Sequence, residues 1–247
     1  MMKIDARGKR VLFISDAHIP YSKKGYLEFL AETKKNFFRP DDICINMGDE
    51  LDFHGLSFHD SDSSLFSGGH ELDRSIEELH WDNGLHSLFP DMKLLESNHG
   101  SMVLRKMKHH QIPIRVLKPL HEIYQTPKWS WHESILILTD LGWVYCTHGK
   151  SGSYAKLVGS LGCSVVQGHF HTKFEITYHR TLMATKFSMF VGCLADRDSL
   201  AMAYAKTNIP EFINGTGGIT EFGHPILFPM LSDINTPPPI PSECLTQ

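Results

Sequence analysis

Short apolar runs alternate with helical stretches over the first half of the chain. Val11 to Ile14 is an apolar run of strand length, Tyr26, Phe29, Leu30 and Thr33 recur at helical spacing, and Ile43 to Met47 is a second strand entered from the Pro40-Asp41-Asp42 turn. This is a β-α-β start. A helix across Glu71 to Leu88, with Leu72, Ile76, Leu79 and Leu85 near a 3.6 period, leads into a third strand at Met92 to Leu95. Met102 to Met107 suggests a short helix. Beyond Pro127 strands dominate: Ser134 to Thr139, Trp143 to Cys146, Ser164 to Val166, Phe174 to Tyr178 and Phe187 to Val191, interrupted by a helix over Tyr154 to Leu161. An α/β start with a strand-rich second half predicts an α/β fold, two β-sheets packed as a sandwich flanked by helices.

Two segments depart from this pattern. His54 to Gly69 is polar and too long for an ordinary connection, so a loop with a role is expected there. Residues 232–247, with Pro237, Pro238, Pro239 and Pro241, lack periodicity and are expected to be an extended Pro-rich tail, leaving 1–231 as one domain. Gly215-Thr216-Gly217-Gly218 lacks the Lys and following helix of a phosphate-binding loop, and a turn between strands is expected. The aromatic residues Trp129, Trp131, Phe187 and Phe190 are expected in the core rather than as base-stacking platforms.

Composition narrows the classes. In 247 residues, 41% apolar, no apolar run approaches the roughly 20 residues that span a bilayer, and Lys3, Asp5, Arg7, Lys9 and Arg10 precede any apolar stretch. Neither a transmembrane helix nor a signal peptide is expected. Five cysteines without a CxxC pair read as reduced thiols of a cytoplasmic protein, which disfavours zinc held by thiolates. A net charge of −4 gives no general attraction for a phosphate backbone, so any nucleic-acid contact must be local.

The 16 histidines change the picture because several fall in clusters just after predicted strands. These are Asp16-Ala17-His18, Gly48-Asp49-Glu50-Leu51-Asp52, Ser97-Asn98-His99-Gly100, Thr147-His148-Gly149 and Gly168-His169-Phe170-His171. Strand ends gather on one sheet edge, where ligands of α/β folds bind. Imidazole, carboxylate and amide without thiolate suit Mn²⁺, Fe or Zn²⁺ better than Ca²⁺ or Cu(I).

The order D-x-H, G-D-x-x-D, N-H, H, G-H-x-H, running from Asp16 to His171, resembles the calcineurin-like metallophosphoesterase superfamily, particularly its small single-domain phage and bacterial members. The resemblance implies a four-layer α/β/β/α arrangement with mixed sheets, completed by C-terminal strands that Phe187 to Ala195 and Ile219 to Met230 fit. It implies two divalent metal ions, Mn²⁺ being expected, with Fe, Zn²⁺ and Ni²⁺ as alternatives. Asp16, His18, Asp49 and His171 would hold one ion and Asp49, Asn98, His148 and His169 the other, with Asp49 bridging. The implied reaction is hydrolysis of a phosphodiester by direct attack of a hydroxide held between the ions. His99 stands at the family's general-acid position, and Asp52 matches the carboxylate that orients and charges it.

The departures from the family pattern concern the backbone around Asn98 and the substrate. Ser97 and Gly100 replace the usual small residue and trailing acid around Asn-His, and Phe53 and Gly100 stand where phosphoprotein phosphatases carry Arg. A phosphodiester of a nucleotide or nucleic acid is therefore the expected substrate. Alternatives are a nuclease of the DNA-repair exonuclease branch, a phosphomonoesterase and, from another class, a non-catalytic scaffold. The acidic balance weakens the nuclease reading, whereas a short basic track at Arg105, Lys106 and Lys108 keeps it open. His54 and His59, at the edge of the expected site, and Arg105, on the helix after His99, are candidate substrate contacts. Asp60 and Asp62 lack the spacing of a calcium loop, the other histidines read as surface or hydrogen-bonded residues, no membrane contact is expected, and nothing in the sequence indicates a homo-oligomer.

Overall fold

The computed structural model describes residues 1–57, 66–180, 182, 184–205 and 212–231. The elements follow in the order β1 (Met2–Asp5), β2 (Val11–Ile14), α1 (Tyr26–Phe37), β3 (Ile43–Asn46), α2 (Gly68–Leu79), α3 (Leu85–Leu88), β4 (Lys93–Leu95), α4 (Met102–His109), α5 (Leu120–Ile123), β5 (Ser130–His132), β6 (Ile135–Thr139), β7 (Gly142–Thr147), α6 (Tyr154–Leu161), β8 (Ser164–Gln167), β9 (Phe174–Arg180), β10 (Thr185–Val191), β11 (Gly215–Ile219) and β12 (Pro225–Pro229). Short 3₁₀ turns occupy His54–Leu56, Ile114–Val116 and Leu200–Ala205.

Strands covered on both faces need apolar residues at every position, and β2 meets that need. Val11 and Phe13 face the layer between the two sheets, with Ile45, Met47, Ile137, Val144 and Met189. Leu12 and Ile14 face the helices, against Leu27, Leu30, Leu79 and Leu85. The two sheets are both mixed and six-stranded, ordered β1-β6-β7-β8-β10-β9 and β12-β11-β2-β3-β4-β5. In the second, β2, β3, β4 and β5 run parallel, and in the first β7, β8 and β10 do so. α1 buries Tyr26, Leu27, Leu30, Thr33 and Phe37, one face of a 3.6 period, while α6 lies against β8, β9 and β10. The result is the α/β sandwich flanked by helices that the pattern predicts.

Several local expectations are corrected. The helix expected over Glu71 to Leu88 is two helices, α2 and α3, separated by a turn. Gly84 lies so close to the carbonyls of Glu78 and Leu79 that any side chain there would strike them, and the chain reverses over the end of α2. Gly215 to Gly218 belongs to β11, not to a turn, and pairs with β2 and β12. A Cβ at Gly217 would stand 2.7 Å from Val191 Cγ1, so the glycine lets this strand lie close under the opposite sheet. The stretch expected as strand over Ile219 to Met230 is a hairpin whose return strand, β12, covers Pro225–Pro229. Gly68 and Gly69, expected in the polar loop, form the first turn of α2. His59, Asp60, Asp62 and the tail 232–247 lie outside the described residues. Trp129, Phe187 and Phe190 are buried as expected, and Cys44, Cys146 and Cys193 are buried free thiols.

Candidate metal centre

The parallel strands β2, β3, β4, β7 and β8 end on one edge of the sandwich, and the five clusters leave from those ends. Beyond β2 and β3 the two loops stay paired, the Asp16 and His18 N–H groups donating to Gly48 O at 3.1 Å and Asp49 O at 2.9 Å. This pairing continues through backbone that is unusual for side-chain-bearing residues: φ is 50° at Asp16, 49° at His18, 53° at Asp49 and 69° at His169. The left-handed region is accessible to Asp and His but disfavoured, and here it aims four candidate ligands at one point. Gly48, with φ 104°, admits no Cβ, which would lie 2.7 Å from both His148 Nδ1 and Ser97 Cβ.

Three overlapping groups of donors gather there: Asp16, His18 and His171; His18, Asp49 and His99; and Asp49, His148 and His169, the ligand atoms in each lying within 4.8 Å of one another. Asp16 Oδ1 is 3.2 Å from His171 Nε2, which is 3.3 Å from His18 Nε2. Asp49 Oδ2 is 3.8 Å from His18 Nε2 and 3.2 Å from His148 Nε2, so this one carboxylate stands between the two halves of the cluster. Asn98 Oδ1 meets His148 Nε2 at 2.7 Å. All seven expected ligands are thus described, six of them in these groups and Asn98 beside His148.

Their outer atoms are held from behind. His18 Nδ1 donates to Asp52 Oδ1 at 2.6 Å and His148 Nδ1 to Met47 O at 2.8 Å, which turns each Nε2 inward. Asp16 Oδ2 accepts the His169 N–H at 2.9 Å and the Ser15 hydroxyl. Asp49 Oδ1 accepts the His99 N–H at 3.0 Å. Asp52 was expected to orient His99; its carboxylate lies nearer His18, 3.4 Å from His99 Nδ1, and its main-chain carbonyl takes the His99 Nδ1 proton.

The charges are suited to a cation. Asp16, Asp49 and Asp52 are at most 1% exposed, and the ion pairs they form among the described residues are all with histidines, none with Lys or Arg. Buried carboxylates without fixed positive partners cost several kcal/mol each. Protons fill part of that deficit. Burial opposes charging His148, but Asp49, Asp16 and the Met47 carbonyl outweigh it and push its pKa up to about 9. Burial likewise opposes ionisation of Asp49, and His148, His99 and His18 nevertheless hold it well below the usual carboxylate range. Asp16 also ends low, its burial outweighed by His171 and His148. Burial pushes His18 down despite Asp52, whereas at His99 burial is outweighed by Asp49 and Asp52 and the ring is favoured in its protonated form. The inward Nε2 atoms and shared carboxylate fit divalent cations of the kind bound by nitrogen and oxygen donors.

Of the expected substrate contacts, Arg105 is exposed and its Nη2 donates to Asn98 O at 2.7 Å, supporting the turn that carries Asn98. His54 Nδ1 is 3.9 Å from Asp52 Oδ2. Three residues have supporting roles that the sequence did not assign. Ser97 Oγ accepts the N–H groups of Asp49 at 3.0 Å and Gly100 at 3.1 Å, tying two ligand turns together. Glu71 accepts the N–H groups of His54 and Gly55, both at 2.7 Å. Glu50, next to Asp49, turns inward to accept Trp131 Nε1 at 2.8 Å, and burial pushes its pKa up to about 7.

No family model and no curated protein sequence matches the chain. Among solved structures it is similar to an archaeal phosphodiesterase, at 14% identity over 89% of this chain and 99% of that one, with a TM-score of 0.42. It is also similar to vacuolar protein sorting 29 from Cryptosporidium parvum, at 15% identity over 89% of each chain, with a TM-score of 0.44.

Proposed function

We propose that the chain is a dinuclear-metal-dependent phosphodiester hydrolase acting on a nucleotide or nucleic acid. The observation that carries this reading is Asp49, buried and reaching both His18 and His148, at the centre of a donor set that lacks any Lys or Arg counter-ion among the described residues. Asp16, His18, Asp49 and His171 are assigned to one ion and Asp49, Asn98, His148 and His169 to the other, with Mn²⁺ as the expected metal. Bound divalent cations supply Lewis acidity toward phosphoryl oxygens and lower the pKa of water toward neutrality.

The chain's own residues supply the rest. His99, favoured in its protonated form and anchored through Nδ1 to the Asp52 carbonyl, keeps Nε2 for donating a proton to the leaving oxygen. Asp52 fixes the His18 ring, and Ser97 fixes the Asp49 and Asn98 turns relative to each other. Arg105 holds the Asn98 carbonyl, so its role is support of a ligand turn.

Protein loaded with Mn²⁺ is expected to hydrolyse a generic aryl phosphodiester, and Asp49→Asn and His99→Ala to lower turnover by about 10²–10⁴-fold with circular dichroism unchanged. Equal rates in all three proteins overturn the reading.

A further inference from the structure

The chain's net charge hides a strong asymmetry beside the metal centre. Between Glu96 and Glu122 stand Arg105, Lys106, Lys108, Arg115 and Lys118 with no Asp or Glu, leaving 19 Lys and Arg against 28 Asp and Glu elsewhere. This segment starts with the ligand turn itself. α4 begins three residues after His99, Arg105 braces Asn98, and α4 packs both against the His54–Leu56 turn beside Asp52 and against the Ile114–Val116 turn. From Lys108 to Val116 every residue is exposed. The exposed residues include Ile112, Ile114 and Val116, 44%, 50% and 65% exposed. None of the Lys or Arg ion pairs among the described residues involves Lys108, Arg115 or Lys118.

Cations interleaved with aliphatic side chains on an exposed ridge match a ligand that offers regularly spaced anions and apolar faces together. A single-stranded polynucleotide offers both, phosphates along its backbone and unpaired bases beside them, whereas a duplex presents mainly phosphates. We propose that the ridge from Lys108 to Lys118 is the docking track of a single-stranded nucleic acid whose scissile diester enters the metal centre past His99. The inference rests on the phosphodiesterase reading and narrows its substrate class.

The test compares the unsubstituted ridge with Lys108→Gln/Arg115→Gln/Lys118→Gln, exposed positions outside the metal centre. Binding of a labelled single strand of about 16 nucleotides is read by fluorescence anisotropy in the Asp49→Asn background, which slows turnover, and hydrolysis of an aryl diester is read in the Mn²⁺-loaded protein without that substitution. The expected result is oligonucleotide affinity that falls steeply between about 50 and 200 mM salt, a log–log slope flattened by about 2 in the triple variant, at least tenfold weaker binding, and unchanged aryl diester turnover. Ile114→Ser/Val116→Ser is expected to weaken binding with the salt slope preserved. Aryl diester hydrolysis with no oligonucleotide binding, or equal binding by the triple variant, overturns the inference and leaves the phosphodiesterase reading standing. Triple-variant-sensitive binding to anionic phospholipid vesicles in place of the oligonucleotide overturns it in favour of a lipid surface. Ridge-dependent oligonucleotide binding with no diester turnover overturns the phosphodiesterase reading and leaves the track as a binding surface.

Discussion

Phe13 and Asp16 lie three residues apart on one stretch of chain, both fully buried, in regions governed by opposite physics. Phe13 sits between the sheets among aliphatic side chains, where burial itself stabilises by about 1.5–3 kcal/mol per large side chain. Asp16 sits where the strand has ended, in a cluster with Asp49, Asp52 and five imidazoles, where burial is a cost that His171 and His148 must offset. Equal exposure therefore says nothing about contribution to stability. The sandwich layer is finished by folding, whereas the strand-end cluster gathers donors suited to a cation.

The contrast can be broken at three points. The largest effect is expected from Phe13→Ala, which should lower unfolding free energy in urea by about 3–5 kcal/mol, by the same amount at every pH from 6 to 8 and with or without Mn²⁺. The cluster should behave otherwise. Mn²⁺ at about 100 times its Kd should add about 2.7 kcal/mol at pH 8, and a chelator should remove it. Below its pKa of about 9 His148 carries a proton that must leave before Nε2 can coordinate, so acid weakens binding and alkali strengthens it. At fixed Mn²⁺ the increment should shrink by about 1.4 kcal/mol for each pH unit lost; calorimetric titration showing no proton release would contradict this. The smallest effect is expected at the seam between the regions: Ser97→Ala should cost about 1 kcal/mol, read by thermal unfolding, by freeing the Asp49 and Gly100 N–H groups.

The same contrast explains what the sequence made legible. Elements with a local period were readable: β2, β3, α1, α6 and β6 to β10 fall where their patterns place them. β1 and β5 were not, because each is three or four residues long and exists by pairing with β6 and β4. The Glu71 to Leu88 periodicity ran through a break that only the closeness of Gly84 to the end of α2 enforces. The candidate ligands were readable because each follows a strand in a fixed order of motifs. The roles of Ser97, Glu50 and Glu71 were not, since each bonds a group between 16 and 81 positions away in the chain, a pairing that no local pattern announces. Even Asp52, readable as a site residue, makes its shortest side-chain contact with His18, 34 positions away.

The left-handed backbone at Asp16, His18 and Asp49 bears on how this centre can be interrogated. Asn occupies that conformation at least as readily as Asp, while alanine, with no local side-chain hydrogen bond to compensate, does so at a cost of about 1–2 kcal/mol. A loss of metal or activity in Asp16→Ala or Asp49→Ala would mix the missing carboxylate with a relaxed loop. Asp→Asn keeps the bend and removes the charge alone, so at these positions the choice of replacement decides whether an experiment reports on electrostatics or on chain shape.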